Sequence, residues 1–177
     1  NKIWRVARYT TRLCMQEYFE DGIKRDRLLW TGDARVEALN CYYCFGDYKL
    51  AKRSLLMLAA VQRPDGGIPG VGPRPGGCLL PDYCCYWINM LCEYYWHSGD
   101  EALVKMLLPT LRRQIAFLRA HTDQDGFLVG KYDSRNWWVF IDWAPICKQG
   151  QCAALQAVYA GALDAVNRLV EHVEAAR

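Results

Sequence analysis

Apolar side chains recur every three or four positions along most of the chain, which is typical of amphipathic helices. The pattern predicts a first helix over about residues 2–19, a second from about Asp33, and a third that ends before the segment QRPDGGIPGVGPRPGG (62–77). Helix signals resume after Pro81, and the most regular apolar stripe runs from Gln151 towards the end of the chain. No segment alternates convincingly enough to predict a strand. The expected fold is therefore all-α, with about six helices.

The turns between these helices repeat one local signal, an Asp-Gly pair. It occurs at Asp21-Gly22, Asp65-Gly66 and Asp125-Gly126, which are 44 and 60 residues apart. Repeated helix-turn-helix units of this kind are typical of helical-hairpin arrays, in which each hairpin buries its apolar face against its neighbours. An ordinary helical bundle without a repeat is the alternative interpretation.

Other local signals indicate helix ends and loops. Ser98 with Glu101 three residues later has the spacing of a capping box at a helix start, and Pro109 is expected to kink or restart that helix. The long Gly/Pro segment 62–77 predicts a loop of a length that is often functional. A second polar loop (123–134) and the irregular aromatic segment NWWVFIDWAP (136–145) precede the last helix.

Composition and charge narrow the class of protein. The chain has 177 residues, of which 52% are hydrophobic, so a single folded domain over residues 1–177 is expected. The net charge of +3 is small, and the charged residues are interspersed, which disfavours nucleic acid and anionic membranes as partners. No apolar run approaches the roughly 20 residues of a membrane span. The first residues are too charged for a signal peptide.

The nine cysteines are too many and too scattered to predict a disulfide framework, and an odd number cannot all pair within the chain. Most lie in apolar helical segments and are interpreted as buried thiols, which favours a reducing compartment. A cytoplasmic location is expected, with secretion or a periplasmic location left open. The CYYC pair (41–44) has the spacing of a redox pair or of half a zinc site, but no second pair at ligand spacing follows, so no metal is expected. No cofactor is expected either. The six thiols expected to be buried are Cys14, Cys41, Cys84, Cys85, Cys92 and Cys152.

The segment DGIKRDRLLWTGD (21–33) concentrates the residue types that carbohydrate chemistry needs. A carboxyl that protonates a leaving group must hold a proton, whereas one that binds sugar hydroxyls should stay ionised. Asp21, Asp26 and Asp33 provide the carboxyls, and Trp30 provides an apolar platform for a sugar ring. Each residue also has a simpler interpretation: Asp21 as a turn residue, Asp33 as a helix cap, and Trp30 as part of the core.

Two later segments add acidic and aromatic residues beside loops. Seven tryptophans are many for this length, and those at loop edges suit a carbohydrate cleft, although any single tryptophan is more often part of a core. LLPDYCCYWINML (79–91) contains Asp82 and Trp87, and the aromatic segment 136–145 contains Trp137, Trp138, Asp142 and Trp143.

Taken together, these blocks resemble a known family. EYFEDGIKRDRLLWTGDA, PDGGIP, the long block that begins LLPDYCCYWINML and the block FIDWAP resemble, in order, the catalytic domain of bacterial α-L-rhamnosidases. Those enzymes belong to the six-hairpin glycosidases, which have an (α/α)6 barrel. The resemblance covers nearly the whole chain, and its first block is the most specific.

The resemblance implies an inverting hydrolase of terminal α-L-rhamnosides without a cofactor. Asp26 falls where the family usually has its general acid, a glutamate, and Asp21 and Asp33 match flanking residues that bind the sugar. Arg25 and Trp30 match further positions that line the pocket. Asp82, Asp142 and Trp143 match later positions of the cleft.

The sequence departs from the family pattern in two ways. Asp26 is one methylene shorter than glutamate, so its carboxyl is expected about 1.5 Å further back along an extended side chain. The family's general base also comes from a later hairpin, and six hairpins contain twice as many helices as are predicted here. The chain is therefore expected to form about half of a barrel and to lack the base.

These departures leave three hypotheses for the function. The first is the N-terminal part of a rhamnosidase domain that is inactive alone and acts on a carbohydrate with the missing half. The second is a non-catalytic helical module that binds sugar or protein and assembles with itself or with a partner. The third is a six-hairpin glycosidase with another sugar specificity, because fold does not determine substrate.

Overall fold

Six helices form most of the described part of the chain, and the predicted all-α fold is confirmed. The structure is a computed structural model, and it describes residues 1–74, 77–129 and 137–175. Part of the predicted polar loop 123–134 therefore lies outside the described residues. The helices are α1 (Lys2–Cys14), α2 (Thr31–Phe45), α3 (Lys49–Ala60), α4 (Pro81–Ser98), α5 (Glu101–Arg119) and α6 (Ala153–Ala175).

Helix α4 lies at the centre of the packing and contacts α2, α3, α5 and α6. Its side chains are apolar on most sides, as expected of a helix surrounded by other helices. Trp87 is completely buried, and its indole N–H donates to the Leu55 carbonyl oxygen over 3.3 Å. Trp87 is thus a core residue of α4 rather than a residue of a carbohydrate cleft.

A small sheet that the sequence pattern did not predict fixes the long Gly/Pro loop. Strand β1 (Leu29–Trp30) pairs antiparallel with β2 (Val71–Gly72). Beyond the pair, the backbone N–H and the hydroxyl of Thr31 both donate to the Gly70 carbonyl oxygen, over 2.9 and 3.1 Å. Two residues per strand give too little alternation for a sequence pattern to reveal. The loop therefore holds the start of α2 in place.

The first helix is shorter than predicted. It ends at Cys14 rather than near residue 19, because Met15 and Phe19 pair across a tight turn. Phe19 is completely buried. The apolar residues after Cys14 therefore reach the core from a turn, which helical spacing alone cannot distinguish from a continued helix.

The predicted cap of α5 is wrong. Ser98 is the last residue of α4, where its hydroxyl donates to the Tyr94 carbonyl oxygen over 2.7 Å. The actual N-cap is Asp100, whose carboxylate accepts the Leu103 N–H over 3.0 Å. Pro109 lies inside α5, and the helix continues through it to Arg119.

The cysteines occupy the positions expected from the sequence. All nine carry free thiols, and the six that were interpreted as buried are buried. Within the described ranges, no group of three His, Cys, Asp or Glu side chains could hold a metal ion. None of the helices in the described part of the chain is long and apolar enough to cross a membrane.

Candidate active-site cleft

An open cleft of about 440 Å³ lies where the first turn of α2, the start of α4 and residues 141–142 approach one another. It contains three of the acidic side chains that the sequence singled out, Asp21, Asp33 and Asp142. The remaining lining residues are Gly32, Arg35, Val36, Glu37, Tyr83, Tyr86 and Ile141. The cleft is therefore acidic and aromatic, a combination that suits a polyhydroxylated ligand.

The loop that carries Asp26 is closed by Asp21. Its Oδ1 accepts the Leu28 N–H over 2.9 Å, and its own backbone N–H donates to the Leu28 carbonyl oxygen over 3.0 Å. Arg27 has a positive φ of 52°, and its Nε donates to the Ile23 carbonyl oxygen over 2.8 Å. Asp21 thus has a structural contact in addition to its place in the cleft.

Asp26 lies beside the cleft rather than among its lining residues. Its side chain is 32% exposed, and Oδ1 is 3.2 Å from Nε of the highly exposed Arg25. The Asp26 charge is one of the causes that raise the pKa of Asp33. Asp26 therefore lies at the edge of the same acidic region and is paired with an exposed arginine.

Asp33 occupies the first turn of α2 and is half-buried. Burial raises its pKa, the charges of Asp21 and Asp26 add to this effect, and a backbone hydrogen bond opposes it. The structure thus brings Asp33 together with Asp21 in a poorly solvated position.

The entry to α2 is packed closely against α4. The Trp30 ring meets the Tyr83 ring edge-on, with 6.0 Å between the ring centroids. A Cβ atom on Gly32 would lie 2.7 Å from Tyr83 Cζ, so only glycine allows this approach. Trp30 is half-buried and does not line the cleft itself. These contacts fix the position of Asp33 relative to Tyr83.

Asp82 is completely buried and does not line the cleft. Its two carboxylate oxygens accept the backbone N–H groups of Phe140 and Ile141, over 3.3 and 2.6 Å. Burial raises the pKa of Asp82, and these backbone hydrogen bonds partly offset the increase. Asp82 therefore fixes the segment that brings Asp142 to the cleft.

Asp142 and Trp143 lie at the exposed edge of that segment. Asp142 lines the cleft, and its Oδ1 accepts the Trp143 N–H over 2.6 Å. The Trp143 side chain is 79% exposed, and its ring meets Phe140 edge-on with 5.1 Å between centroids. Lys148 Nζ donates to the Asp142 carbonyl oxygen. Trp143 is thus an exposed aromatic ring beside the acidic cleft.

Glu37 is a cleft residue that the sequence analysis missed. It is half-buried, and its Oε2 is inaccessible to solvent and has no hydrogen-bond partner among the described residues. Burial raises the pKa of Glu37 to about 8, the charges of Asp33 and Asp21 add to the increase, and a hydrogen bond from the Cys14 thiol opposes it. The sequence signal was present, because Glu37 follows Asp33 by one helical turn on the same face.

The one basic side chain among the lining residues, Arg35, was also missed and is already paired. Its Nε lies 3.1 and 3.0 Å from the two carboxylate oxygens of Glu93, and its guanidinium lies over the Tyr86 ring at 5.6 Å. A bidentate pair of this kind holds the guanidinium in a fixed orientation. The charge of Arg35 is therefore directed mainly towards Glu93.

Comparisons with known proteins agree with the helical-hairpin fold. Residues 1–175 match the family described as the bacterial α-L-rhamnosidase six-hairpin glycosidase domain. A structure described as "rhamnosidase from Klebsiella oxytoca with rhamnose bound" is 33% identical, with a TM-score of 0.82. A GH78 family rhamnosidase of Bacillus sp. GL1 is 28% identical, with a TM-score of 0.87. No curated protein sequence matches the chain.

The matches cover nearly all of this chain but a small part of each neighbour. They include 98% of the chain and 35% of the Klebsiella protein, and 97% of the chain and 18% of the Bacillus protein. Since the family profile matches all but two residues, the predicted relationship is confirmed. The chain belongs to the bacterial α-L-rhamnosidase six-hairpin glycosidase domain family.

Proposed function

We propose that this chain forms the acid-bearing part of a site that hydrolyses terminal α-L-rhamnosides with inversion, with Asp26 as general acid and the general base outside the chain. The observation that carries the proposal is the single cleft shared by Asp21, Asp33 and Asp142. The family relationship and a related rhamnosidase with rhamnose bound favour this substrate class.

Each residue has a distinct proposed role. The carboxylates of Asp33 and Asp142 accept hydrogen bonds from sugar hydroxyls, and Asp21 does so while closing the loop. The exposed Trp143 ring packs on the C–H face of the sugar, as aromatic rings do with partly apolar ligands. Arg25 orients the Asp26 carboxyl. Trp30 supports the floor of the site through Tyr83, and Asp82 holds Asp142 in place.

The proposed reaction transfers two protons. Asp26 gives its proton to the glycosidic oxygen as the bond from that oxygen to the anomeric carbon breaks. A water on the opposite face of the ring attacks the same carbon and loses its proton to the general base. The two carboxyls of an inverting pair are roughly 6.5–9.5 Å apart, which leaves room for this water.

The activity of Asp26→Asn on two substrates with different leaving groups tests whether Asp26 is the general acid. The isolated chain is expected to show no hydrolysis, so the assay uses a polypeptide that also supplies the remaining hairpins. We expect a loss of about 10²–10⁴-fold for an alkyl rhamnoside, whose leaving group needs the proton. The loss should be much smaller for a nitrophenyl rhamnoside, because nitrophenolate leaves without full protonation. Asp125→Asn, at an exposed turn, is the matched control.

Asp26→Glu examines the shortened side chain. It restores the residue that the family usually has, and we expect it to retain activity on the alkyl substrate. Equal losses on both substrates in Asp26→Asn, or full activity on both, would exclude Asp26 as the acid. If activity is confined to glycosides of another sugar, that sugar replaces rhamnose as the proposed substrate, and Asp26 remains the proposed general acid.

A second candidate function, a non-catalytic half-barrel that assembles with a partner, is favoured by the surface of α1. Ile3, Val6 and Tyr9 form an apolar stripe on this helix, with exposed fractions of 79%, 54% and 64%. Large exposed apolar surfaces are typical of interaction sites. The oligomeric state of the isolated chain separates this candidate from a self-contained monomer.

A further inference from the structure

Glu37 lies in the cleft with fewer contacts than an ionised carboxylate needs, because the Cys14 thiol is the hydrogen-bond donor that stabilises its charged form. It follows Asp33 by four residues on α2, so the two carboxyls are neighbours on one helix face. Glu37 Oε2 is shielded from solvent and accepts no hydrogen bond within the described part of the chain. A buried charge without a partner costs several kcal/mol, and such a group usually takes up a proton instead.

The groups that face Glu37 are themselves acidic. They are the Cys14 thiol from α1, Glu20 and Asp21 from the segment after it, and Asp33 from α2 itself. Among the ion pairs of the described residues, none includes Asp21, Asp33 or Glu37. The basic lining residue, Arg35, is paired with Glu93, so these three of the four carboxyls that line the cleft have no ion-pair partner among the described residues.

We propose that Glu37 is a positioning residue that holds a proton at neutral pH, so that Asp33 keeps the negative charge of the cleft and accepts hydrogen bonds from the sugar. This inference rests on the proposed function for its ligand, a sugar with free hydroxyls. Among the carboxyls of Asp21, Asp33 and Glu37, it assigns the proton to Glu37.

The order of ionisation agrees with this assignment. Asp33 lies in the first turn of α2, where the helix dipole favours a negative charge, and a backbone hydrogen bond lowers its pKa. Glu37 Oε2 has no such partner among the described residues, and Glu37 ionises only near its pKa of about 8. At neutral pH the pair carries one negative charge.

Sugar binding should couple to this proton. A sugar in the cleft removes water from beside Glu37 and raises its pKa further, so binding takes up a proton when pH is near or above 8. The affinity for the sugar does not depend on pH where Glu37 is protonated in both the free and the sugar-bound protein. It falls as pH rises through the pKa that Glu37 has in the free protein. A further increase of about one pKa unit on binding corresponds to about tenfold in affinity.

Calorimetric titration of rhamnose into the chain, in buffers of different ionisation enthalpy, measures both affinity and proton uptake. At pH 6.5 we expect Glu37→Gln to bind within about threefold of the wild type, because the amide is also neutral. Near pH 8.5 the wild type should take up a fraction of a proton, and Glu37→Gln should take up none. Glu17→Gln makes the same chemical change on a side chain that is 80% exposed and should behave as the wild type.

A loss of tenfold or more in Glu37→Gln at pH 6.5 would overturn the inference, as would proton uptake that persists in that variant. Infrared spectra of the free protein decide the protonation state independently of the ligand. A protonated-carboxyl band at pH 6.5 that disappears in Glu37→Gln supports the inference, and its absence from the wild type contradicts it. If the wild type binds no rhamnose but shows this band, the proposed function fails and the proton assignment stands.

Discussion

At the scale of single residues, Gly32 has the strictest steric requirement in the cleft. In Gly32→Ala, the added methyl group would lie 2.7 Å from Tyr83 Cζ and 2.9 Å from the Tyr83 hydroxyl oxygen. Tyr83 is almost fully buried, so it cannot rotate away without disturbing its neighbours. We expect a loss of about 1–3 kcal/mol in the free energy of unfolding, as for other overpacked sites. Urea denaturation followed by circular dichroism measures it.

Gly161→Ala is the matched control for this prediction. Gly161 lies within α6, and a Cβ there would meet no atom within 4 Å outside the helix backbone. We expect this variant to gain up to about 1 kcal/mol, because alanine favours a helix more than glycine does. A Gly32→Ala protein as stable as the wild type would show that Tyr83 moves easily, and the close packing at the start of α2 would then not fix Asp33.

At the scale of elements, Asp82 joins the start of α4 to the segment that brings Asp142 to the cleft. Asp82→Ala leaves the backbone N–H groups of Phe140 and Ile141 without their acceptors. Each unpaired buried group costs about 1–3 kcal/mol. We expect this cost to be relieved by local release of the segment, with the helices intact. Limited trypsin digestion should then cut after Lys148 several-fold faster.

Two further variants show whether the effect is local. Asp82→Asn retains one carbonyl acceptor and should give an intermediate rate of cleavage. Asp164→Ala removes an exposed aspartate that pairs with Arg168 within α6, and it should leave cleavage after Lys148 unchanged. Uniformly faster digestion at many sites in Asp82→Ala would indicate global unfolding and would contradict a role confined to this segment.

The same elements show how far sequence reasoning reaches. The end of α3 and the starts of α4 and α6 follow from apolar spacing and from proline and glycine signals, which act within a few residues. The role of Asp82 depends on amide groups 58 and 59 residues away, which no local pattern contains. Glu37 was recognisable as a neighbour of Asp33 on one helix face. Its burial depends on how α1 and the segment after it pack, so the raised pKa was not predictable.

At the scale of the whole molecule, only part of the surface of helix α1 packs against other residues of the fold. Its buried residues are Thr11 and Cys14, whereas the stripe Ile3, Val6 and Tyr9 faces solvent. The sequence predicted an amphipathic helix from the same apolar positions, but periodicity cannot tell whether the partner of an apolar face lies within the chain. Among the helices of the described residues, α1 leaves this apolar stripe uncovered.

This stripe predicts self-association of the isolated chain through α1. Wild-type protein should elute as a species larger than a monomer on size exclusion with light scattering, and increasingly so as concentration rises. Tyr9→Glu places a charge within the stripe, so we expect it to shift the protein to a monomer without lowering its thermal midpoint. Tyr43→Glu makes the same change on α2 at a residue that is 79% exposed, and it should associate as the wild type does. A wild type that stays monomeric at every concentration, or equal effects of the two variants, would exclude α1 as an assembly surface and would favour the self-contained monomer.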